Sequence, residues 1–361
     1  MIAGAEGRIA SLQALLPGAE VDALLVTDLV NVAYLSGFTG SNGALVVPAA
    51  GKAVLVTDVR YTERAEAEAP GLEIVQDRAA AAAAARTAAE RGARRLGFES
   101  GHVPVDTHTA LIAAAGPAGL RRAPGLVERL RAVKDDGEIE ALRIACAVAD
   151  AALAELIAAG GLAAGRTELA IARDLDDRMR RHGATGPAFD TIVAAGSHSA
   201  VPHHAPTGTE LCRGDLLVMD FGALVDGYHS DATRTFVIGP AAAWQREIHA
   251  VVAAGAAVGR AAMLPAAAAV DVDGAARAAI TEAGYGEQFP HGLGHGIGLR
   301  IHEEPWVLPT GTAVLAAGMV VTVEPGVYLS GRGGVRIEDS LVVRDGEPEL
   351  LTSLPRDLVE I

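Results

Sequence analysis

Hydrophobic and polar positions follow two different periods along this chain. Apolar residues that recur every three or four positions predict amphipathic helices, and these cover about residues 9–16, 61–68, 139–156, 169–181, 243–263 and 270–283. Short aliphatic runs bounded by glycine, proline or polar residues predict strands, and these cover 23–26, 44–47, 53–56, 72–75, 95–99, 190–195, 216–225, 228–237, 319–324 and 335–343. Strands and helices alternate in the first part, which is typical of an α/β domain with a mixed sheet. The later part is β-rich with helical interruptions, which indicates an α+β domain.

The chain is long enough for two domains, because 361 residues exceed what one hydrophobic core usually organises. Between Pro124 and Asp136 the pattern loses its strand character and becomes charged. Asp135 and Glu138 then form a D-x-x-E capping box ahead of a long apolar helix face. We therefore predict one domain over residues 1–130 and a second over 131–361. The alanine-rich run 79–85 predicts a surface helix in the first domain.

The stretch 216–237, LLVMDFGALVDGYHSDATRTFV, reads as a β-hairpin. The Asp-Gly pair at 226–227 favours the turn, because both central positions need positive φ. The register that follows puts Asp220 opposite Thr233, so that Asp220 and Asp231 become diagonal neighbours on one face.

These two aspartates need a counter-charge. The strand around Asp220 is almost continuously apolar, and an unpaired buried carboxylate is costly. A metal ion between Asp220 and Asp231 would meet the need. Alternatively, Asp220 receives an arginine while Asp231 lies in water at the mouth of the hairpin. The hairpin alone does not decide between these two arrangements.

A second polar stretch, PHGLGHGIGLRIHEEP at 290–305, contains three histidines among closely spaced glycines. Its spacing fits neither a dinucleotide-binding loop nor a phosphate-binding Walker loop. We interpret it as a loop that presents side chains of the histidines at 291, 295 and 302, where the absence of Cβ atoms lets other backbone approach closely.

Two further acids stand at apolar strands. Glu324 closes VVTVEP at 320–325, and GVRIEDS at 334–340 places Arg336 and Glu338 two residues apart on one strand face. Either acid alone could be a solvated strand end, so neither is specific by itself.

Together these stretches supply four carboxylates and a histidine loop. Ligation by carboxylates with one imidazole suits hard to borderline divalent ions such as Mn²⁺, Co²⁺ or Zn²⁺. Four carboxylates also balance two divalent ions. Two metals about 3.5–4 Å apart can activate a water molecule and polarise a carbonyl group, which is a hydrolytic arrangement.

Composition excludes several other classes of function. The formal net charge is −15 and the isoelectric point is near 5.2, which disfavours nucleic acid and anionic membranes as partners. No apolar run approaches the roughly 20 residues of a membrane helix, and the N-terminus has no signal-peptide core. The two cysteines, Cys146 and Cys212, suggest neither a disulfide framework nor a thiolate metal site. We expect a cytoplasmic protein.

Five motifs resemble those of the pita-bread metallopeptidases, the family of aminopeptidase P, prolidase and methionine aminopeptidase. The resemblance is strong over about residues 134–361, and residues 1–130 are more loosely similar to the creatinase-type N-terminal domain through YLSGFTGSNGALVV and TDVRYTERA. The matching positions are Asp220 and Asp231 in MDFGALVDGYHSDATRT, His295 in HGLGHGIGLRIHEEP, Glu324 in TVEPGVY and Glu338 in GGVRIED.

The resemblance implies that these five residues hold two divalent metal ions, with Mn²⁺ favoured and Co²⁺ or Zn²⁺ in second place. In the family pattern, Asp231 and Glu338 bridge the two ions. Glu324 is both a ligand and a general acid or base.

The resemblance also assigns residues around the metals. His204 in VPHHAPT matches a histidine that hydrogen-bonds the substrate or the tetrahedral intermediate, and we interpret its neighbour His203 as structural. His302 matches the histidine near the scissile carbonyl, and His291 matches one that lines the proline side of the cleft. Arg336 matches an arginine that holds the ligands in place.

The function implied is cleavage of the Xaa-Pro bond at peptide N-termini, the aminopeptidase P activity, by a homodimer acting on small peptides with proline at the second position. The SGFTGSNG stretch favours this over an Xaa-Pro dipeptidase, or prolidase. A dipeptidase also needs a cation for the free carboxylate of its terminal proline. The same fold could also carry a metal-free interaction module or a creatinase-like C–N hydrolase. Relatives of both kinds lack the acids that this chain keeps.

Overall fold

The computed structural model describes residues 4–361. The chain divides into two compact units, the first ending at Arg131 and the second beginning at Ala132. No helix among the described residues is both long and apolar enough to cross a membrane.

The first unit is built on one mixed six-stranded sheet in the order β4-β3-β2-β1-β5-β6. Strands β1 to β3 pair antiparallel, and the pairs β3–β4, β1–β5 and β5–β6 are parallel. The sheet is therefore mixed, as the alternating pattern predicted. The strands are β1 Ala23–Val26, β2 Gly43–Pro48, β3 Val54–Thr57, β4 Glu73–Gln76, β5 Arg95–Phe98 and β6 Gly119–Arg122. The helices are α1 Ala5–Leu15, α2 Leu29–Ser36, α3 Thr62–Glu68, α4 Ala80–Glu90, α5 Val105–Ala115 and, at the boundary, α6 Leu126–Ala132.

The expectation of a surface helix in the alanine-rich run was wrong. Helix α4 buries one alanine face in the core under the sheet, among residues of β1, β2 and β3. Small side chains allow the helix to lie close to the sheet, so alanine here fills space between two elements rather than covering an exposed surface.

Helix α2 was not predicted, although both of its ends are marked. The Asp28 side chain accepts a hydrogen bond from the Val30 N–H, and Gly37 ends the helix at a φ of 82°. The helix is short and mostly buried, so its apolar pattern does not distinguish it from a strand.

The second unit is an α+β domain with four helices: α7 Asp136–Ala158, α8 Glu168–Arg181, α9 Ala243–Ala262 and α10 Ala269–Glu282. The capping box predicted at its start is present, with Asp135 and Glu138 each accepting from the other's backbone N–H. Its strands are β7 Gly186–Pro187, β8 Ile192–Ala195, β9 Leu216–Phe221, β10 Ala223–Val225, β11 Tyr228–His229, β12 Ala232–Val237, β13 Gly294–Gly296, β14 Glu303–Val307, β15 Val320–Val323, β16 Gly326–Leu329, β17 Gly333–Arg336, β18 Asp339–Val342, β19 Glu349–Leu350 and β20 Val359–Glu360.

These strands form a four-stranded sheet β20-β12-β9-β8, a five-stranded sheet β14-β13-β15-β18-β19, a three-stranded sheet β11-β10-β7 and the pair β16-β17. One core cluster joins α7 and α8 to alternate residues of β8, β9 and β12. A second joins α9 and α10 to alternate residues of β15 and β18 and to their neighbours. The strand faces turned away from both helix pairs are therefore available to carry a polar site.

The hairpin register predicted from the sequence is confirmed. Val225 pairs with Tyr228 and Asp220 with Thr233. Asp226 and Gly227 have φ of 49° and 83°, as the turn requires.

Candidate metal centre

Period-two alternation along β9 places Asp220 on the strand face turned away from the helices. On β9, Leu217, Met219 and Phe221 pack against α7 and α8, so Asp220 faces the other side. Its Oδ2 accepts a 2.7 Å hydrogen bond from Arg336 Nη2, whereas Oδ1 is buried without a hydrogen-bond partner. An arginine does reach Asp220, but it satisfies only one of the two oxygens. Asp231, between β11 and β12, is buried rather than in water.

Glu324 and Glu338 lie at strands of the other large sheet, and alternation places Glu324 in the same way. Val321 and Val323 of β15 pack against the second helix pair, which leaves Glu324, next after the strand, on the opposite face with Thr322. Glu338 precedes β18, the antiparallel partner of β15. A bridge between Glu338 and Thr233 connects the two sheets: the Glu338 N–H donates to the Thr233 carbonyl, and Thr233 Oγ1 donates to Glu338 Oε2 at 2.7 Å.

The bridge between Glu338 and Thr233 shows that one predicted strand was wrong. The run 335–343 was expected to be continuous, but it breaks at Ile337 and Glu338 into β17 and β18, which belong to different sheets. The two N–H groups at the break donate instead to the carbonyls of Pro325 and Thr233. The sequence pattern is apolar on both sides of the break, so periodicity alone does not reveal it.

His295 lies on a strand, β13, and not in the loop that was predicted. A Cβ at Gly294 would lie 2.1 Å from the Thr322 carbonyl oxygen, and one at Gly296 would lie 2.2 Å from the Glu304 carbonyl oxygen. The glycines therefore let a short strand fit between β14 and β15. The strand fixes the direction of the His295 ring.

The imidazole of His295 completes a cluster with the acids. Its Nδ1 donates to the Gly296 carbonyl at 3.1 Å, which leaves Nε2 facing Asp231 Oδ2 at 3.6 Å and Glu324 Oε1 at 3.4 Å. Asp231, His295 and Glu338 each offer a ligand atom within 4.8 Å of the others. Burial lowers the pKa of His295 to about 4, so the ring is neutral at pH 7.

Three of the carboxyl groups have raised pKa values. Burial is the largest cause for each. Repulsion from the other acids of the cluster adds to it for Asp231 and Glu338, whose pKa values lie well above the ordinary range. Burial and the Asp220 charge raise the pKa of Glu324 to about 8, although Arg336 opposes the rise. The cluster therefore lacks positive charge.

A pair of divalent ions fits this donor set. Asp220 Oδ1 has no hydrogen-bond partner, neighbouring acids repel the charges of Asp231 and Glu338, and the neutral Nε2 of His295 faces two carboxylates. These groups are carboxylate and imidazole donors in need of a cation. Such donors suit Mn²⁺, Co²⁺ and Zn²⁺.

Arg336 lies beside this donor set, and all three of its guanidinium nitrogens donate hydrogen bonds. Besides Asp220, it donates to Tyr328 Oη at 2.8 Å, to Thr233 Oγ1 at 3.1 Å and to the Pro202 carbonyl at 3.2 Å. Tyr328 passes the contact on to His291 Nε2 at 3.0 Å. The His291 Nδ1 donates to the Gly292 carbonyl. Both ring nitrogens of His291 are therefore hydrogen-bonded, which leaves the face of its ring to line the cavity.

A cavity of about 640 Å³ lies over the acids. All nine residues predicted for the site line it. His302 is exposed on its wall, edge-on to His295 with ring centroids 4.4 Å apart and stacked on Trp306. Burial lowers the pKa of His302 as well. Apolar parts of the wall come from Phe189, Ile192, Ile301, Trp306 and Leu308.

The two adjacent histidines have different surroundings. His204 donates from Nε2 to Glu168 at 2.9 Å and stacks on His198. His203 is exposed and close enough to His291 and His302 to contribute to the lowering of both their pKa values. The geometry therefore favours His203 over His204 as the histidine available to a bound molecule.

Sequence reasoning missed Tyr328, Trp306 and Glu168. Tyr328 carried a usable signal, because it is a polar residue in an apolar strand four positions after Glu324. Glu168 carried none, since an acid in the first turn of a helix is explained by the helix dipole alone.

Known proteins share this arrangement of domains and motifs. The family model of metallopeptidase family M24 matches residues 140–345, more than half of the chain. The chain belongs to this family. A second model, the creatinase/prolidase N-terminal domain, matches residues 8–133. The resemblance found in the motifs and the expected fold, an α/β N-terminal domain followed by an α+β pita-bread catalytic domain, are confirmed.

Three relatives of this M24 protein match over nearly their whole length. The structure of the Xaa-Pro dipeptidase from Bacillus anthracis is similar with a TM-score of 0.95 and 37% identity, covering 99% of this chain and 100% of that one. The Xaa-Pro dipeptidase of Pyrococcus horikoshii is 35% identical over 94% of this chain and 95% of its own. The X-Pro aminopeptidase structure from Thermotoga maritima has a TM-score of 0.87 and 34% identity, covering 95% and 98%. The protein is thus a peptidase of the M24 family.

Proposed function

We propose that this M24 peptidase hydrolyses the Xaa-Pro bond with two divalent metal ions and that Xaa-Pro dipeptides are its preferred substrates. The observation that carries the proposal is the cluster of four carboxylates and one neutral imidazole that lines the cavity, of which Asp231, His295 and Glu338 are buried. The motifs favoured aminopeptidase P, but the relatives are mostly named Xaa-Pro dipeptidases, which supports the dipeptidase better.

In this proposal Asp220, Asp231, His295, Glu324 and Glu338 hold the two ions, Mn²⁺ in the first place and Co²⁺ or Zn²⁺ in the second. Such a pair supplies a nucleophilic water and polarises the scissile carbonyl. The homodimer and the cytoplasmic location implied by the family resemblance belong to the proposal too. Sedimentation velocity and cell fractionation test them.

The residues of the chain supply the proton transfers. The nitrogen of an Xaa-Pro bond carries no hydrogen, so it must gain a proton to leave as a secondary amine. Glu324, whose carboxyl pKa is raised to about 8 without metal, faces the cluster from the end of β15 and is the group proposed to accept a proton from water and return it to the proline nitrogen. Water oxygen ends on the carbonyl carbon as the C–N bond breaks.

Histidine side chains hold the substrate. His302 and His203 present N–H donors to the carbonyl oxygen as negative charge develops on it. His291, fixed by Tyr328 and Gly292, presents its ring to the proline side. Arg336 keeps Asp220 and Tyr328 in place.

One observation favours the second candidate, an X-Pro aminopeptidase. Within residues 4–361, Arg336 is the only lysine or arginine among the cavity-lining residues, and its guanidinium group is already engaged. A dipeptide's free carboxylate therefore finds histidine N–H groups there, rather than a guanidinium group. A longer peptide has no such requirement.

A substrate panel decides between the two. With dipeptides as preferred substrates, kcat/KM for Xaa-Pro exceeds that for Xaa-Pro-Xaa by tenfold or more, about 1.4 kcal/mol in transition-state binding. C-terminally amidated Xaa-Pro is the matched control, because it removes only the charge. Higher kcat/KM on tripeptides and on the amide would establish the aminopeptidase instead.

Removal of metal should abolish activity on every substrate in the panel. The four carboxylates have no other adequate counter-charge, so chelator-treated protein is expected to be inactive and Mn²⁺ or Co²⁺ to restore it. Activity assays are paired with metal analysis of the same samples. Undiminished turnover by protein shown to contain no metal would contradict the proposed chemistry.

His302→Ala should lower kcat and kcat/KM together while both metals stay bound. A donor that binds the developing oxyanion acts mainly in the transition state, and its loss typically costs about 3 kcal/mol, a few hundredfold. His182→Ala, a surface histidine bonded to Glu155, is the control. A rise in KM with kcat unchanged would show that His302 binds substrate and transition state equally.

A further inference from the structure

A second buried carboxylate cluster lies in the catalytic unit, centred on Glu168. This first residue of α8 has no exposed surface. Its Oε1 accepts from the Ala195 N–H and from His198 Nδ1, each at 2.9 Å. Its Oε2 accepts from His204 Nε2 at 2.9 Å and from the N–H and Oγ1 of Thr207 at 3.0 and 2.7 Å. Five donors thus converge on one carboxylate.

The arrangement is a hydrogen-bonded clamp rather than a metal site, although Glu168, His198 and His204 are close enough to share an ion. Each oxygen already accepts a backbone N–H in addition to an imidazole. The two rings are stacked with centroids 4.3 Å apart and planes 30° from parallel, so that each nitrogen meets its own oxygen. Burial opposes the charge of Glu168, but the five donors outweigh it and lower the pKa to about 2.

The clamp grips the segment 196–207 on both sides of His203. His198 lies five residues before His203, and His204 and Thr207 follow it. The same segment is fastened to the metal-centre strands, since Ser199 Oγ accepts from the Gly334 N–H at 2.8 Å and the Pro202 carbonyl accepts from Arg336. His203 is exposed between the attached residues Pro202 and His204, on the cavity wall.

We propose that Glu168 is a positioning residue, whose carboxylate holds the segment 196–207 so that the His203 imidazole faces the substrate carbonyl. This inference rests on the proposed function, because it assigns Glu168 to the same cavity. It explains why two histidines and a threonine donate hydrogen bonds to a carboxylate that does not line the cavity. It also explains why His204 itself is not free to bind a substrate.

Glu168→Gln tests the proposal in the metal-loaded enzyme. Glutamine keeps the size but turns one acceptor into a donor that faces other donors, so part of the clamp is lost. We expect kcat to fall 10- to 100-fold, the usual effect of losing a residue that orients a site, with KM nearly unchanged and the metal content still two per chain. Glu155→Gln is the matched control, because Glu155 also binds a histidine and arginines but at the surface, and it should leave kcat unchanged.

A double-mutant cycle separates positioning from general damage. If Glu168 acts through His203, the variant carrying both Glu168→Gln and His203→Ala is no slower than His203→Ala alone. Additive losses would overturn the proposal. Thr207→Val, which removes one donor to Oε2, should show a smaller loss of the same kind. It replaces Glu168→Gln in the cycle if that variant does not fold.

Two further readouts make the outcomes distinguishable. In zinc-loaded protein the imidazole resonance of His203, assigned from His203→Ala, should shift in Glu168→Gln and stay in place in Glu155→Gln, whatever substrate the enzyme prefers. An unmoved resonance would overturn the clamp even if activity falls. Loss of a third metal equivalent in Glu168→Gln would overturn it in favour of a metal site. A wild-type enzyme inactive on every Xaa-Pro peptide, with a shifted resonance, would refute the proposed function alone.

Discussion

Asp231→Asn should bind substoichiometric metal and lose at least about 10³-fold in kcat/KM on Xaa-Pro substrates. A divalent ion contributes several kcal/mol of charge stabilisation in the transition state, and about 4 kcal/mol corresponds to a thousandfold. Asp231 is buried among three other acids and His295, so the substitution removes charge at the centre of the cluster. Glu338→Gln should behave alike, because its carboxylate lies in the same group.

Asp226→Asn is the matched control. It makes the same chemical change in the same hairpin, but at an exposed turn position, where asparagine also tolerates a positive φ. Its metal content and kcat/KM should equal those of the wild type. Metal analysis and kinetics on the wild type and these three variants are sufficient. Two metals per chain in Asp231→Asn would show that the site is wrongly placed.

Asp231→Asn should stabilise the metal-free protein. Burial and neighbouring acids raise the pKa of Asp231, so ionising it in the folded state costs free energy that asparagine avoids. Asp231→Asn would then be less stable than the wild type with metal and more stable without it. A variant destabilised under both conditions would indicate a packing defect rather than removal of charge.

Metal-free protein should lose stability as pH rises from 6.5 to 8, whereas metal-loaded protein should not. The pKa of Glu324 is raised from 4.5 to about 8 in the folded state. Between these values the folded state holds a proton that the unfolded chain has released, so the free energy of unfolding falls with rising pH. Each proton held costs about 1.4 kcal/mol per pH unit, which makes the loss from Glu324 alone roughly 2 kcal/mol over this window.

The window is chosen to limit the contribution of the histidines. The pKa values of His291 and His295 are lowered to about 4, so these residues add stability mainly as pH rises toward 6.5, the ordinary histidine pKa, and the small remainder above it opposes the fall. Asp231 and Glu338, whose pKa values are also raised, would steepen the fall.

Calorimetry in chelator measures this effect on the transition that metal addition shifts, where roughly 2 kcal/mol corresponds to about 5 °C in Tm. Glu324→Gln should flatten the slope by about one proton, whereas Glu347→Gln, at an exposed position, should leave it unchanged. A metal-free Tm that does not change, or rises, between pH 6.5 and 8 would mean that the acids are ionised in the folded state without a cation.

Features that depend on near neighbours could be predicted from the sequence. The Asp226-Gly227 turn fixes the register of its hairpin because positive φ is required locally, and period-two alternation then puts Asp220 on the face that the helices leave free. The capping box of Asp135 and Glu138 involves positions only three apart. The five proposed ligands came from motifs, and all five line the cavity.

Features that depend on distant contacts were decided by the tertiary structure alone. The predicted strand is interrupted between β17 and β18 because the backbone at Glu338 pairs with Thr233, 105 residues away. His204 is withdrawn from the cavity by Glu168, which is 36 residues away, and His203 takes the exposed position. Local pattern does not encode these choices, because an apolar run or a pair of adjacent histidines has the same sequence whichever partner it meets. Packing and the hydrogen-bonding requirements of buried groups select the partner.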